Sequence, residues 1–249
     1  MKIAIGCLLL SMGVGITASA QESRVEIPAA EASQSTSPLA GWTFGILGGW
    51  DENTPVISLP QYAEDMKYLK NSGLSLGISA KYALTNWLYC RADVLWVQKN
   101  YKMNRTAYNS SSILNSEYTN DYLSVPLMAM VSFGYDFRVF AYFGGYVGYW
   151  LSGHRKGNTY SMDYLLYLDL SSTEYDQDWE FDSNRDNRFD AGLVFGGGFA
   201  YTFMHHFEVS AEARYYYGMT DVQKGYMENN NIPHYNSTLA ITAGVAYKF

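Results

Sequence analysis

The 249-residue chain carries a formal net charge of −7, with 16% charged and 48% apolar residues. Its length fits one domain, and its mild acidity argues against nucleic acid as a partner, because a phosphate backbone selects basic stripes. The 23 Tyr and 22 Gly beside only 6 Pro suit strands, aromatic belts and close turns more than helices.

In chain order, residues 1–20 read as an export signal. Lys2 supplies the positive start, Ile3 to Ile16 the apolar core, and Ala18-Ser19-Ala20 the small-residue cleavage pattern, leaving Gln21 as the mature terminus. Cys7 sits too early for a lipid-modified cysteine and reads as part of the apolar core. Removal of the signal leaves Cys90 alone, so no intramolecular disulfide is expected. Residues 21–40 are rich in Ala, Ser, Pro and Glu and lack periodicity, which suits a flexible periplasmic lead-in. No later stretch holds about 18 consecutive apolar residues, which excludes a transmembrane helix.

From Gly41 onward the period is two, and eight strands are expected at 41–50, 73–84, 87–99, 121–133, 138–151, 190–203, 206–218 and 237–249. In 73–84, Leu74, Leu76, Ile78, Ala80, Tyr82 and Leu84 alternate with Ser75, Gly77, Ser79 and Lys81. In 87–99, Leu88, Cys90, Ala92, Val94 and Trp96 take the outer face, which sends Leu95 and Val97 inward. The run 138–151 is apolar on both faces, so its phase stays open. In 190–203, Ala191, Leu193, Phe195, Phe199 and Tyr201 oppose Asp190, Gly192, Gly196 and Gly198. In 206–218, Phe207, Val209, Ala211, Ala213, Tyr215 and Tyr217 oppose Glu208, Ser210, Glu212, Arg214 and Tyr216. In 237–249, Leu239, Ile241, Ala243, Val245, Tyr247 and Phe249 form one face. The clean runs match tilted bilayer-crossing strands of about 9–11 residues.

The connections alternate. Thr85-Asn86, Gly134 to Phe137 and Phe203 to His205 are short; 51–72, 100–120, 152–189 and 219–236 are long. Short periplasmic turns with long outer loops specify an all-β, eight-stranded antiparallel up-and-down transmembrane β-barrel over 41–249, in the cell outer membrane. A soluble lipocalin-type barrel would turn the apolar set inward. Two features favour the membrane form. Aromatic residues recur near strand ends (Trp42, Trp50, Tyr82, Trp87, Trp96, Tyr122, Tyr135, Tyr215, Tyr217, Tyr247), and the C-terminal pattern Thr242, Gly244, Tyr247, Phe249 looks like the assembly signal of outer-membrane barrels. The expected partners are therefore outer-membrane lipid and the barrel-assembly machinery.

Several segments resemble the PorT-like outer-membrane β-barrel family common in the Bacteroidota. They are Asp121-Tyr122-Leu123-Ser124-Val125-Pro126-Leu127, Phe143 to Tyr149 (FGGYVGY), Phe189 to Gly196 (FDAGLVFG) and Ala213 to Thr220 (ARYYYGMT), with Leu95-Trp96-Val97-Gln98-Lys99 matching the family's third strand. The matches span roughly 41–249 in the family's order. One departure is Gly145-Tyr146, where the family usually has Pro after the fifth-strand Gly. The resemblance implies a porin-like barrel, in some members an accessory to a secretion system, so envelope or secretion-system proteins join the expected partners.

Candidate chemistry is sparse. Ser152 and His154 stand near the outer rim, where barrel lipases place such residues, but no orienting carboxylate is assigned to them. His205 and His206 fall in a turn. The acids Asp176, Asp178, Glu180 and Asp182, continuing to Asn184 and Asp186, occupy alternate positions and form a weak calcium candidate. Phe181 and Asn187 stand where an EF-hand needs Gly and Glu, and a hairpin with a wet face explains the same alternation. That hairpin would pair Tyr160, Met162, Tyr164, Leu166, Leu168 and Leu170 with 174–186 across Ser171-Ser172-Thr173, leaning on 51–72. Gly196-Gly197-Gly198 lies within a strand and serves packing, not phosphate. The strand phases send Lys81, Arg91, Asp93, Asp190, Glu208, Glu212 and Arg214 into the lumen as an ion-pair network, with Tyr89, Met128, Met130 and Tyr216 as bulk. Eight strands enclose only enough space for side chains. The function expected is structural or accessory, through the outer loops and without catalysis or a cofactor. The alternatives are a small passive channel and a rim enzyme acting on lipid. The ligand and the oligomeric state stay open.

Overall fold

A computed structural model describes residues 41–57, 66–106, 113–160, 172–224 and 234–249. The expected export signal and lead-in, and residues 161–171, on which part of the expected outer hairpin falls, lie outside them. The described strands are β1 (Trp42–Ile57), β2 (Met66–Ala83), β3 (Leu88–Gln98), β4 (Tyr101–Thr106), β5 (Ile113–Gly134), β6 (Phe137–Tyr160), β7 (Ser172–Asp178), β8 (Phe189–Phe203), β9 (Phe207–Gly218) and β10 (His234–Lys248). Eight of them form an antiparallel ring in the order β1, β2, β3, β5, β6, β8, β9, β10, and β10 closes it on β1 from Thr43↔Lys248 to Ile57↔His234. No described helix is long and apolar enough to cross a membrane.

Side-chain alternation fixes which face meets lipid. On β9, Phe207, Val209, Ala211, Ala213 and Tyr217 are exposed, while Glu208, Glu212, Arg214 and Tyr216 are buried. On β2, Leu76 and Ile78 are 62% and 60% exposed, and their neighbours Ser75 and Ser79 are buried. A soluble barrel would reverse these faces. The apolar band instead runs right round the outside, with Ile46, Leu127, Phe143, Phe195 and Ile241 exposed on other strands. A slip of one residue would put Arg214 and Glu212 in hydrocarbon, with Arg costing about 2–4 kcal/mol at the midplane. The phase of β6 resolves with Phe140, Tyr142, Tyr146 and Trp150 inward.

Three details position the lumen. The periplasmic turns are tight: Gly134 takes φ +119°, and Met204 and His205 take φ 50° and 62° between β8 and β9, a paired left-handed geometry suited to a short hairpin. A Cβ on Gly144 would fall on the Leu127 carbonyl oxygen, so glycine there lets β5 and β6 approach closely. The third detail is a register shift in the β5–β6 ladder at Asp121/Tyr122. Below it Trp150 faces inward; above it Gly153 and Arg155 do, and Ser152, His154 and Lys156 face outward.

The long outer loops need correction. Much of 51–72, 100–120 and 152–160 is strand: β1 and β2 run on beyond the apolar band, β4 pairs with both β2 and β5, and β5 and β6 rise with them. Above the membrane both faces of a strand can be wet, so hydrophobic alternation fades while pairing continues. The hairpin in 152–189 also forms differently. Residues 154–160 pair with 172–178, and β6 continues laterally into β5 and β4 instead of leaning on 51–72. Tyr122, expected in an aromatic belt, faces the lumen at 2% exposure, because inward positions on β5 are even-numbered.

Candidate functional site

The lumen is filled by a continuous charge network. Arg91 Nε donates to Asp93 at 3.0 Å, and its two terminal nitrogens donate to the Glu212 carboxylate at 2.7 and 3.0 Å. Arg214 contacts Asp93 at 2.7 Å and Glu212 at 2.5 Å. Thr242, inward on β10, donates to the same Glu212 at 3.0 Å. Fork-to-fork pairing of this kind suits guanidinium and carboxylate, and the Tyr142 ring packs against both Arg91 and Arg214. Towards the periplasm Glu208 accepts from both Lys81 and Arg138. Met128, Met130, Phe140 and Tyr216 fill the remaining space, with Tyr89 packed against them.

The outer half of the lumen holds residues that the alternation did not assign. Lys99 is 2% exposed and donates to Asp190 at 2.5 Å, among the rings of Tyr122, Tyr146 and Tyr216. Asp190 also accepts from Tyr146 and Thr220. Lys99 lies two residues beyond inward Val97, and Arg138 two before inward Phe140, so strand phase carried a signal for both. Asp51 is buried on the inward face of β1 without a direct hydrogen bond among the described residues. Charge in the described lumen therefore balances: Lys81, Arg91, Lys99, Arg138 and Arg214 against Asp51, Asp93, Asp190, Glu208 and Glu212.

The lumen narrows inside its periplasmic mouth and is covered at its outer end. A periplasmic vestibule of about 350 Å³, bordered by Lys81, Arg138 and Glu208, leads to a gap of about 20 Å³ beside Arg91, Met130 and Phe140. At the outer end, the Trp150 ring stacks on Tyr122 at 5.9 Å, meets Trp179 at a tilt at 5.8 Å and meets Phe181 edge-on at 4.9 Å. Asp186 ties this cover down, accepting from Trp179 Nε1 at 3.1 Å, from Arg185 and from the Asp182 backbone N–H. Burial pushes the Asp186 carboxyl up, but these donors prevail and hold it below the usual carboxylate range. His234, packed beside Tyr68 and Tyr101, is pushed down to about 4 by burial and is neutral.

On the outer surface, His154 has two orienting carboxylates, contrary to the sequence reading. Nε2 lies 2.7 Å from Asp176 and Nδ1 2.9 Å from Asp178. An acid at each nitrogen favours the protonated ring, and the Asp178 hydrogen bond raises its pKa. Ser152 donates instead to Asp121 at 2.9 Å, so no nucleophile–base pair forms. The acidic run divides. Asp176 and Asp178 face outward on β7, the chain leaves the strand at Trp179, and Asp182 caps Asn184 at 2.8 Å. Glu180 contributes its backbone carbonyl to Arg185. Among the described residues no group of three or more His, Cys, Asp or Glu side chains is placed to hold a metal. Of the C-terminal pattern, Gly244 pairs with Leu47 at the seam, Tyr247 packs on Phe207, and Phe249 donates its N–H to Trp42 at 3.0 Å.

No curated protein matches the sequence. Among solved structures, the outer membrane protein OprG from Pseudomonas aeruginosa aligns at 15% identity and TM-score 0.47, covering 84% of this chain and 96% of that one. Neisserial surface protein A aligns at 17% and 0.39, covering 83% and 97%. Ail, the attachment invasion locus protein of Yersinia pestis, aligns at 12% and 0.38, covering 84% and 99%. The family model described as "Outer membrane protein beta-barrel domain" matches residues 20–224. The chain belongs to that outer-membrane β-barrel family.

Proposed function

We propose that this outer-membrane barrel is a closed structural or accessory protein that works through its outer surface and passes no solute. One observation carries the reading: three buried and two partly buried cations face five buried acids along the described lumen, four of the acids in ion pairs, and the gap beside Arg91 is about 20 Å³. Removing water from that many charges is tolerable only when they pair, and paired charges hold the lumen shut. Within this proposal the protein is a PorT-like barrel of the Bacteroidota type. It is exported by a cleaved signal at 1–20, is inserted by the barrel-assembly machinery through Thr242, Gly244, Tyr247 and Phe249, and performs no catalysis. Secretion-system or other envelope proteins are its partners of choice. The capture of both His154 nitrogens by acids supports the absence of a rim hydrolase.

A small passive channel is the second reading, favoured by the periplasmic vestibule of about 350 Å³. Swelling of proteoliposomes in isotonic small sugars tests between them. The closed barrel swells no faster than empty vesicles; uptake above that background establishes the channel.

A further inference from the structure

The strands above the apolar band carry a second organised surface, on the outside of the barrel. One row crosses five strands in register: Leu69, Lys102, Glu117, Lys156 and Asp176. Glu117 accepts from Lys102 and lies 3.1 Å from Lys156, and these hydrogen bonds hold its carboxyl below its ordinary pKa. The next row outward is Lys67, Asn104, Asn115, Asn158 and Glu174. Asn158 accepts the Asn115 backbone N–H at 2.7 Å, which leaves its amide NH₂ outward. The Asn104 and Asn115 side chains make no hydrogen bond among the described residues. All of these but Lys67 line a hollow of about 720 Å³, within the roughly 300–1,000 Å³ typical of small-ligand sites.

The pattern selects a chemistry. Two lysines against three acids line the hollow, so a polyanion gains nothing there. Donors and acceptors alternate about every 4.8 Å, the strand spacing, with amides between them and Leu69, 42% exposed, at one end. Hydroxyl groups both donate and accept, and sugar C–H faces pack on an apolar edge. Position selects the source. On β5 the same outward face reads Leu127, Val125 and Leu123 in the apolar band, then Asp121, Thr119, Glu117 and Asn115 above it. The hollow therefore opens sideways, directly over the lipid surface.

We propose that this hollow binds a neutral saccharide chain carried by lipid of the outer leaflet. The inference rests on the reading that the protein works through its outer surface, and it names the ligand class for that surface. The bound glycan would brace β4 to β7 against the membrane, using the Lys102–Glu117–Lys156 row for ring hydroxyls and the asparagine row for the next sugar.

The test uses the full-length protein in phosphatidylcholine nanodiscs and measures co-retention of a fluorescent trihexosyl diacylglycerol. Phosphatidylglycerol and free trisaccharide serve as comparison probes. The glycolipid is expected to bind in preference to both. Asn104→Ala with Asn115→Ala, and separately Lys156→Ala, are expected to weaken it by about tenfold, the loss of one or two hydrogen bonds. Heat-modifiable gel mobility checks that each variant is folded. Retention that is unchanged in folded variants, absent in the wild type, stronger for phosphatidylglycerol, or matched by the free sugar would overturn the proposal. None of these outcomes bears on whether the lumen conducts, so failure here is distinguishable from failure of the closed-barrel reading.

Discussion

The same strands carry charge in two settings, and the settings give it opposite weight. Inside the ring, Arg214 is 1% exposed and meets two carboxylates, Asp93 and Glu212. Above the membrane, Lys102, Glu117 and Lys156 form an equally regular row, yet their side chains are 41%, 32% and 58% exposed. Water screens the outer row, so each pair there contributes little. In the lumen each charge has lost its water, so removing one partner strands the others. Similar side chains thus serve closure in one place and surface chemistry in the other.

The largest effect expected is from Arg214→Leu. It leaves Asp93 and Glu212 sharing only Arg91, and breaking such a buried pair costs about 3–5 kcal/mol. Urea titration in lipid vesicles, read by heat-modifiable gel mobility, should show a lower unfolding midpoint. An unchanged midpoint would mean that the lumen is wetter than the burial of these groups indicates. Glu208→Gln comes next. Lys81 and Arg138 lose their shared carboxylate at the more open periplasmic end, for a loss of about 1.5–3 kcal/mol by the same titration. A loss larger than that of Arg214→Leu would invert the proposed order of closure.

How much of this was legible depended on where the hydrophobic period survives. β9 showed its register because Glu208, Glu212 and Arg214 interrupt one face and apolar residues hold the other. β4 showed none, since Tyr101–Thr106 meets water on a face where lipid would otherwise demand apolar residues, while the alternating acids of 174–186 marked a strand at β7 but not its register with 154–160. Asp51 was assigned to a loop although it lies two residues beyond Gly49 on the inward face. Arg138 was hidden at the start of a strand apolar on both sides. The two acids that embrace His154 sit 22 and 24 residues away in sequence, and only the β6–β7 register brings them together.

Outside the lumen the expected effects are small. Glu117→Gln should cost under about 1 kcal/mol, and it should raise the salt sensitivity of the outer sheet no further. A cost comparable to Glu208→Gln would erase the distinction between the two regions. His154 gives the smallest effect, visible as pH dependence. Its pKa is raised in the folded protein by Asp178 and Asp176. Its contribution is therefore fully present below the unfolded value of 6.5 and is lost as pH rises through the folded value. Limited proteolysis of the β6–β7 hairpin should quicken between about pH 6 and about pH 9, and His154→Ala should flatten that dependence. A hairpin cleaved equally at both pH values would show that the His154 pairs do not hold it.

Closure of the lumen is tested most directly by planar-bilayer recording of the purified protein, alongside Arg91→Gln and Glu212→Gln. The expected wild-type trace is flat at moderate voltage, with leakage appearing only in variants that break the network. Steady, reproducible conductance steps in the wild type, altered in size or ion preference by either substitution, would contradict a closed barrel and make the same residues the selective constriction of a channel.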